Sequence, residues 1–292
     1  MTALTPSTRH LFSREVERPD PDVDLARAAI LVAKEEYPQL PVERYMVRLD
    51  QLAEEVKDLL DQERAPPVVL QELIRTLHER ERFRGNREAY YDPRNSFLSD
   101  VLDRGLGIPL TLGIVLMEVG WRLGLPLEGV NFPGHFLVRF EGAELRLLVD
   151  PFDKGKLRFE DEAQELLDRV YGGSVRLRPE FMKAATKKEM LVRMLTNLKR
   201  IYMNVGDDPR ALAAVERILL LRPGTPSEIR DRGSLLARMG RREEALLELE
   251  SYLERVPTAG DAYRVQELVR QLRRGDHSVG GAEGVEGQEE EP

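Results

Sequence analysis

The chain has 292 residues, of which 41% are hydrophobic and 33% are charged, as is typical of a soluble globular protein with two domains. It carries 44 basic and 52 acidic residues, and the net charge of -8 argues against binding to a nucleic-acid backbone or an anionic membrane surface. Cysteine is absent, which excludes disulfides, zinc–thiolate sites and thiol nucleophiles.

The N-terminal part of the chain combines an irregular start with several helices. Residues 1–24 hold three prolines and offer little to bury, so we predict a flexible, loosely docked arm. The first residues lack the apolar segment of a signal peptide, which favours a cytoplasmic location. Hydrophobic spacing, prolines and capping residues then predict four helices, at about residues 25–37, 41–60, 68–81 and 96–105.

The next segment, residues 107–124, is the most apolar predicted helix, but it is too short to span a membrane. Pro109 suits its first turn and Gly124 suits the position just after its end. Gly113 and Gly120 are seven residues apart and lie on one face, where a neighbouring backbone can come close. We therefore predict a central helix that is surrounded by other elements of the first domain.

Between Phe136 and Val149 the hydrophobic period changes to two, which predicts an antiparallel hairpin. If Phe140 pairs with Leu145 across a four-residue loop, His135 lies directly opposite Asp150 on the same face. A slip of one residue would place these two side chains on opposite faces of the sheet. The predicted register thus brings a histidine and an aspartate together.

The C-terminal half repeats itself with a period of 34 residues. Six residue types recur at this spacing: Gly206 and Gly240, Ala211 and Ala245, Leu212 and Leu246, Glu216 and Glu250, Leu219 and Leu253, and Pro223 and Pro257. The tetratricopeptide unit, a pair of antiparallel helices, has this period. We predict helical repeats, a capping helix from Asp261 to Arg274, and a disordered acidic tail.

Five fragments, in this order and spacing, point to one family: Tyr91-Asp-Pro-Arg-Asn-Ser96, Gly107-Ile-Pro-Leu-Thr111, Leu123-Gly-Leu-Pro126, Pro133-Gly-His-Phe136 and Val149-Asp-Pro-Phe152. Together with the repeat, the chain resembles the SirB-type bacterial transglutaminase-like family over about residues 25–270. The resemblance implies an α+β fold with a transglutaminase/cysteine-protease-like core, in which a central helix packs on a small antiparallel sheet. An all-α domain of tetratricopeptide-like repeats would follow.

The resemblance also implies a site. In the superfamily, a cysteine at the start of the central helix attacks an acyl group, a histidine activates it, and an aspartate orients the histidine. By position, His135 matches the histidine and Asp150 the aspartate, either as a retained or vestigial site or as a buried polar pair. The place of the cysteine falls near Pro109 to Thr111, and Thr111 is the only hydroxyl there. Its side chain either replaces the nucleophile or bonds to the backbone of the first turn.

The remaining candidate residues form no recognisable site. His10, His78 and His277 lie in the arm, in a charged helix and in the tail, so we expect no metal ion. No glycine-rich loop fits a phosphate, and we expect no cofactor. The arginines between residues 75 and 88 alternate with glutamates, which is typical of a solvated helix face rather than a nucleic-acid site.

We interpret the chain as a non-catalytic, transglutaminase-like regulatory or binding protein whose repeat surface binds a protein or peptide partner, without nucleic acid or membrane. The alternative is a hydrolase or acyltransferase in which Thr111, His135 and Asp150 replace the usual triad. The predicted domains are the arm (1–24), the transglutaminase-like domain (25–178), the repeats (179–274) and the acidic tail (275–292). The oligomeric state stays open.

Overall fold

A computed structural model describes residues 6–60, 64–143 and 145–274, so the predicted acidic tail lies outside the described residues. The chain divides between Met194 and Leu195 into two compact units. Residues 179–194 belong to the first unit because Ala184 forms a β-bridge with Val130 and the amide of Ala185 bonds to the carbonyl of Gly129. No helix in the described ranges is long and apolar enough to cross a membrane.

The first unit is built from helices and two small sheets. Its helices are α1 (Pro6–Val16), α2 (Leu25–Glu36), α3 (Val42–Leu59), α4 (Pro66–Arg75), α5 (Leu98–Arg104), α6 (Pro109–Arg122) and α7 (Ala163–Tyr171). Strands β1 (Arg84–Gly85) and β2 (Leu106–Gly107) pair in parallel. Strands β3 (Leu127–Val130), β4 (Leu137–Glu141), β5 (Arg146–Asp150) and β6 (Lys156–Arg158) form an antiparallel sheet in that order. The predicted α+β class is confirmed.

Helix α6 is the centre of this unit, and every residue from Pro109 to Gly120 is buried. The two glycines of α6 lie against side chains of neighbouring elements and not, as predicted, against a neighbouring backbone. A Cβ atom at Gly113 would lie 2.6 Å from the ring of Phe136, and one at Gly120 would overlap Leu127. Glycine is needed here because large side chains of β3 and of the segment before β4 fill the space that a helical side chain would occupy.

The predicted hairpin is present as β4 and β5, but its predicted register is wrong by two residues. Phe140 pairs with Leu147 instead of Leu145, and the last pair before the loop is Glu141 with Arg146. These two side chains form an ion pair of 2.9 Å. A shift of two residues keeps every side chain on its predicted face, and for this reason the hydrophobic alternation alone does not exclude it.

Within the stretch predicted to be a loose arm, Pro6–Val16 instead forms helix α1. Phe12 is fully buried and Val16 is 3% exposed. The carboxylate of Glu15 accepts a hydrogen bond of 2.8 Å from the amide of Asp24, just before α2. A few well-placed apolar residues are therefore enough to hold this segment against the domain, although its average composition is polar.

The second unit is entirely helical among its described residues. Helix α8 (Lys187–Asn204) contains the division point, and α9 (Asp208–Leu221), α10 (Pro226–Arg238), α11 (Arg242–Arg255) and α12 (Ala262–Arg274) follow. The helical repeat is confirmed. Gly206 and Gly240 adopt φ values of 70° and 75° between paired helices, where L side chains are strained. Ala211 and Ala245 are fully buried, as close packing of helices requires.

Candidate functional site

The structure brings His135 and Asp150 together, although the predicted register that motivated this pair is wrong. His135 lies in the turn before β4, where its amide bonds to the carbonyl of Phe132 at 3.0 Å. Asp150 is the last residue of β5. The two side chains are 15% and 4% exposed, and Nε2 of His135 lies 2.9 Å from Oδ1 of Asp150. The pair is thus a mostly buried hydrogen bond with one partly open partner.

Asp150 is held as a carboxylate by several donors. Its Oδ1 atom also accepts the backbone amides of Phe152 at 3.1 Å and Asp153 at 3.0 Å. Burial by itself would raise the pKa of Asp150, but the hydrogen bond and charge of His135 and these two amides together lower the pKa below its ordinary value. An ionised carboxylate can only accept, so Nε2 of His135 carries a proton. In the neutral imidazole, the lone pair is then on Nδ1, as a base requires.

Phe152 fixes the position of the imidazole from the side, and sequence reasoning missed this role. Its ring lies 6.2 Å from that of His135 in an edge-to-face arrangement, and 6.0 Å from the ring of Tyr90. The guanidinium of Arg87 lies 4.9 Å from the centre of the same ring. A Cβ atom at Gly85 would overlap the ring of Phe152. The only sequence signal was the Asp-Pro-Phe fragment, which does not state what the phenylalanine contacts.

His78 is a second histidine near the carboxylate, and sequence reasoning placed it only in a charged helix. It lies in a single π-helical turn, Thr76–Arg80, and its Nδ1 donates to the carbonyl of Phe83 at 2.8 Å. A Cβ atom at Gly155 would lie 2.8 Å from the ring. Burial lowers the pKa of His78, against the opposing effects of this hydrogen bond and of the charge of Asp150. His78 thus packs closely on Gly155, in the turn that follows Asp150.

Thr111 lies in the first turn of α6, but its hydroxyl is bound to the backbone. Oγ1 donates to the carbonyl of Asn95 at 2.7 Å and accepts the amide of Ile108 at 3.2 Å, and the residue is fully buried. Within the described ranges, no hydrogen bond joins Thr111 to His135. The geometry agrees with a threonine that caps the helix and ties it to the 86–96 loop.

We expect the Thr111→Val variant to lose about 1–3 kcal/mol of free energy of unfolding, because the amide of Ile108 and the carbonyl of Asn95 would stay buried without a partner. Urea denaturation followed by far-UV circular dichroism measures this loss. Thr111→Ser keeps the hydroxyl and should lose clearly less. A Val variant as stable as the parent would contradict the backbone role of this hydroxyl.

No group of three or more histidine, aspartate and glutamate side chains is arranged to hold a metal ion in the part of the chain that the structure describes. His10 lies in α1, and His277 lies outside the described residues. The candidate site therefore consists of His135 and Asp150, with Phe152 and His78 as supports.

Comparisons with known proteins agree with this architecture. A family model described as "Transglutaminase-like superfamily" matches residues 43–196, and one described as "Tetratricopeptide repeat" matches residues 198–270. A UPF0162 protein of Xylella fastidiosa strain Temecula1 is 36% identical over 242 residues, which are 82% of this chain and 86% of that protein. A UPF0162 protein of Vibrio cholerae is 29% identical over 236 residues, 80% of this chain and 87% of that protein.

A relative of another kind matches a shorter part of the chain. F-box only protein 21 of Mus musculus is 33% identical over 153 residues, which are 48% of this chain and 23% of that protein. No solved structure gives a significant match.

Proposed function

The chain belongs to the UPF0162 family of transglutaminase-like proteins. We propose that it is a non-catalytic regulatory protein that binds a protein partner through its helical repeats. A transglutaminase-like domain joined to tetratricopeptide repeats suggests a role in protein interaction. The second part of the proposal, that the first domain has no acyl-transfer activity, is argued from its candidate site.

The proposal rests on what occupies the position where the superfamily has its nucleophilic cysteine. The 292 residues contain no cysteine, and the hydroxyl of Thr111 is bonded to Asn95 and Ile108 in a fully buried environment. A nucleophile must lie within hydrogen-bond reach of its base, and Thr111 has no such bond to His135 in the described ranges. The histidine and aspartate are thus in place without an activated nucleophile.

The partner-binding half of the proposal is supported by the second unit. Stacked helix pairs of this type form extended surfaces that bind other chains. Several large apolar side chains of this unit are exposed: Val205 is 71%, Leu247 68% and Tyr263 73% exposed. These positions offer apolar contacts to another chain on the repeat unit.

The absence of acyl-transfer chemistry is tested with a β-lactone probe that acylates activated hydroxyls. We expect intact mass spectrometry to show no adduct on the protein, while a serine hydrolase treated in parallel is labelled. An adduct on Thr111 that disappears in the His135→Ala variant would overturn the proposal. It would support the alternative, a hydrolase or acyltransferase using Thr111, His135 and Asp150.

Partner binding is tested by photo-crosslinking in bacterial cells with benzoylphenylalanine at Leu247 or Tyr263. The matched control carries the same group at Val47, which is 51% exposed in the first unit. We expect a discrete cross-linked band from the two repeat positions that is competed by excess unlabelled chain. The same band from Val47, or no competed band from either repeat position, would contradict the role of the repeats.

A specific observation keeps the catalytic alternative in place. His135 donates through Nε2 to a carboxylate whose pKa is lowered, and this arrangement orients a general base in acyl-transfer sites. A third interpretation treats the pair as structural only. It predicts that Asp150→Asn changes stability without changing partner binding, which the cross-linking experiment measures directly.

A further inference from the structure

In the part of the chain that the structure describes, no strand pairs with the outer edge of β6, although the amides of Lys156 and Phe159 at its ends already donate to the carbonyl of Asp153 and the carboxylate of Glu162. The antiparallel sheet runs in the order β3, β4, β5, β6, and only β5 pairs with β6. The opposite edge, β3, is covered because Val130 forms a bridge with Ala184 and Gly129 accepts the amide of Ala185. The two edges of the same sheet therefore differ, and one of them is open to a further strand.

Apolar side chains beside this open edge are exposed. Leu157 is 43% exposed and Phe159 is 58% exposed. On the same face, the neighbouring strand buries Leu147 and Val149, which are 8% and 0% exposed. Helix α6 meets this face through Phe136 and Leu127, beside β3 and β4, and leaves the β6 end of the sheet uncovered.

Positive charge on β6 and just before it has few partners. Lys154 and Lys156 are exposed, and neither forms an ion pair with a described residue. Arg158 is 3% exposed, its Nε and Nη2 atoms lack hydrogen bonds, and its nearest carboxylate, that of Asp153, is 3.9 Å away. Beyond Phe159 the charge reverses with Glu160, Asp161 and Glu162.

Lysines on an edge strand can also be explained as protection against aggregation. That explanation accounts for Lys156. It does not account for two exposed large apolar residues, Leu157 on the strand and Phe159 directly after it, since exposed apolar edges promote the pairing that lysine prevents. The combination of an open edge, exposed apolar side chains and unpaired positive charge fits a strand that is covered by a ligand of complementary chemistry.

We propose that β6 binds an extended acidic peptide segment of a protein partner, which adds to the sheet as a fifth strand. Side chains alternate between faces along a strand, so acidic residues of the peptide would lie near Lys156 and apolar residues would contact Leu157 and Phe159. Past Phe159 the peptide must lack acidic residues, because Glu160 and Asp161 would repel them.

The added strand would lie close to the candidate site. Lys156 pairs with Asp150, so one end of the peptide would lie about 10 Å from the strand that carries Asp150, two strand spacings away. This surface is distinct from the helical repeats, and peptide binding here can fail while cross-linking from Leu247 and Tyr263 persists. The proposal is thus independent of the repeat surface in the proposed function.

The test uses the full chain and a fluorescein-labelled synthetic peptide in which glutamate alternates with valine only over the length of β6, with no acidic residue in the part that would pass Phe159. We expect saturable binding by fluorescence anisotropy. Two matched peptides serve as controls: one replaces glutamate with lysine, and one keeps the acidic sequence but carries N-methyl groups on the amides of alternate residues. Both should bind at least about tenfold more weakly, because the first reverses the charge and the second cannot form the strand hydrogen bonds.

Variants of the chain locate the binding. Lys156→Glu and Phe159→Ser, both at exposed positions, should each weaken binding by about tenfold. Lys183→Glu, an exposed lysine beside the covered edge, should leave it unchanged. Hydrogen exchange should show added protection within β6, at the amide of Leu157 or Arg158, when the acidic peptide is bound, because the amides of Lys156 and Phe159 already have acceptors. Absence of saturable binding, equal binding of the N-methylated peptide, or an equal effect of Lys183→Glu would overturn the proposal.

Discussion

We expect the Asp150→Ala variant to lose about 3–4 kcal/mol of free energy of unfolding, because removal of one carboxylate leaves several buried donors without an acceptor. Nε2 of His135 and the amides of Phe152 and Asp153 all bond to Oδ1 of this residue. Hydrogen bonds to a charged acceptor are stronger than neutral ones. The turn after β5 would lose the carboxylate that accepts two of its backbone amides.

Urea denaturation followed by far-UV circular dichroism measures this loss, and two variants control it. Asp150→Asn keeps a carbonyl oxygen at the same place and should lose about half as much, since the acceptor stays but its charge is lost. Asp161→Ala removes an exposed carboxylate that forms no ion pair with a described residue. Its cost should stay below about 1 kcal/mol. Equal losses for Asp150→Ala and Asp161→Ala would contradict the role assigned to Asp150.

The same comparison has a defined pH dependence. The folded structure lowers the pKa of Asp150 from its ordinary value of 3.8, so the stability that its charge contributes is fully present above that value. This contribution is lost as the pH falls through the lower, folded-state pKa. The difference in stability between the parent and Asp150→Asn should therefore shrink when denaturation is repeated in acid below the ordinary value. A difference that is constant with pH would mean that the charge of Asp150 contributes nothing.

The parts of the fold that could be predicted are those with local signals. Pro109 and Gly124 bracket α6 in the sequence, and the observed helix ends within two residues of Gly124. The turns at Gly206 and Gly240 were predictable because the 34-residue repeat shows the same residue in the same role twice. Such features depend on a few neighbouring residues, so no tertiary contact is needed to recognise them.

The hairpin register could not be predicted, because a shift by two residues preserves the alternation between faces. The choice between Leu145 and Leu147 as the partner of Phe140 depends on the loop and on side-chain pairs, here the ion pair of Glu141 with Arg146. His135 reaches Asp150 from outside the strand, so the contact survives the corrected register.

The supports of the candidate site were hidden for a different reason. Phe152 contacts His135 from the turn after β5, and His78 approaches Gly155 from a helical segment far away in the sequence. Both contacts are set by how separate elements pack, and the sequence around either residue carries no sign of its partner. The hydrogen bonds of Thr111 were predictable only in part. The bond to Ile108 is local, whereas the bond to Asn95 depends on how the loop packs against the helix.

We expect the Lys199→Met variant to lose about 3–5 kcal/mol of stability in the second unit, because it leaves a buried carboxylate without its cation. Nζ of Lys199 bonds to both carboxylate oxygens of Glu228, at 2.7 and 2.9 Å, and to Asp231 at 2.9 Å. Lys199 and Glu228 are only 8% and 7% exposed, so water cannot replace the lost partner. This ion pair joins α8 to α10 within the second unit.

Chemical denaturation together with amide hydrogen exchange in α10 measures this loss. Arg200→Met, at the adjacent exposed position, is the matched control and should cost less than about 0.5 kcal/mol. A double variant separates the two physical causes. Lys199→Met with Glu228→Leu removes both charges at once, and Asp231 keeps its bonds to Arg230. If the loss comes from an unpaired buried charge, the double variant should be more stable than Lys199→Met alone. If the two substitutions instead add their costs, Lys199 and Glu228 contribute to stability independently of each other, and the role assigned to their ion pair is wrong.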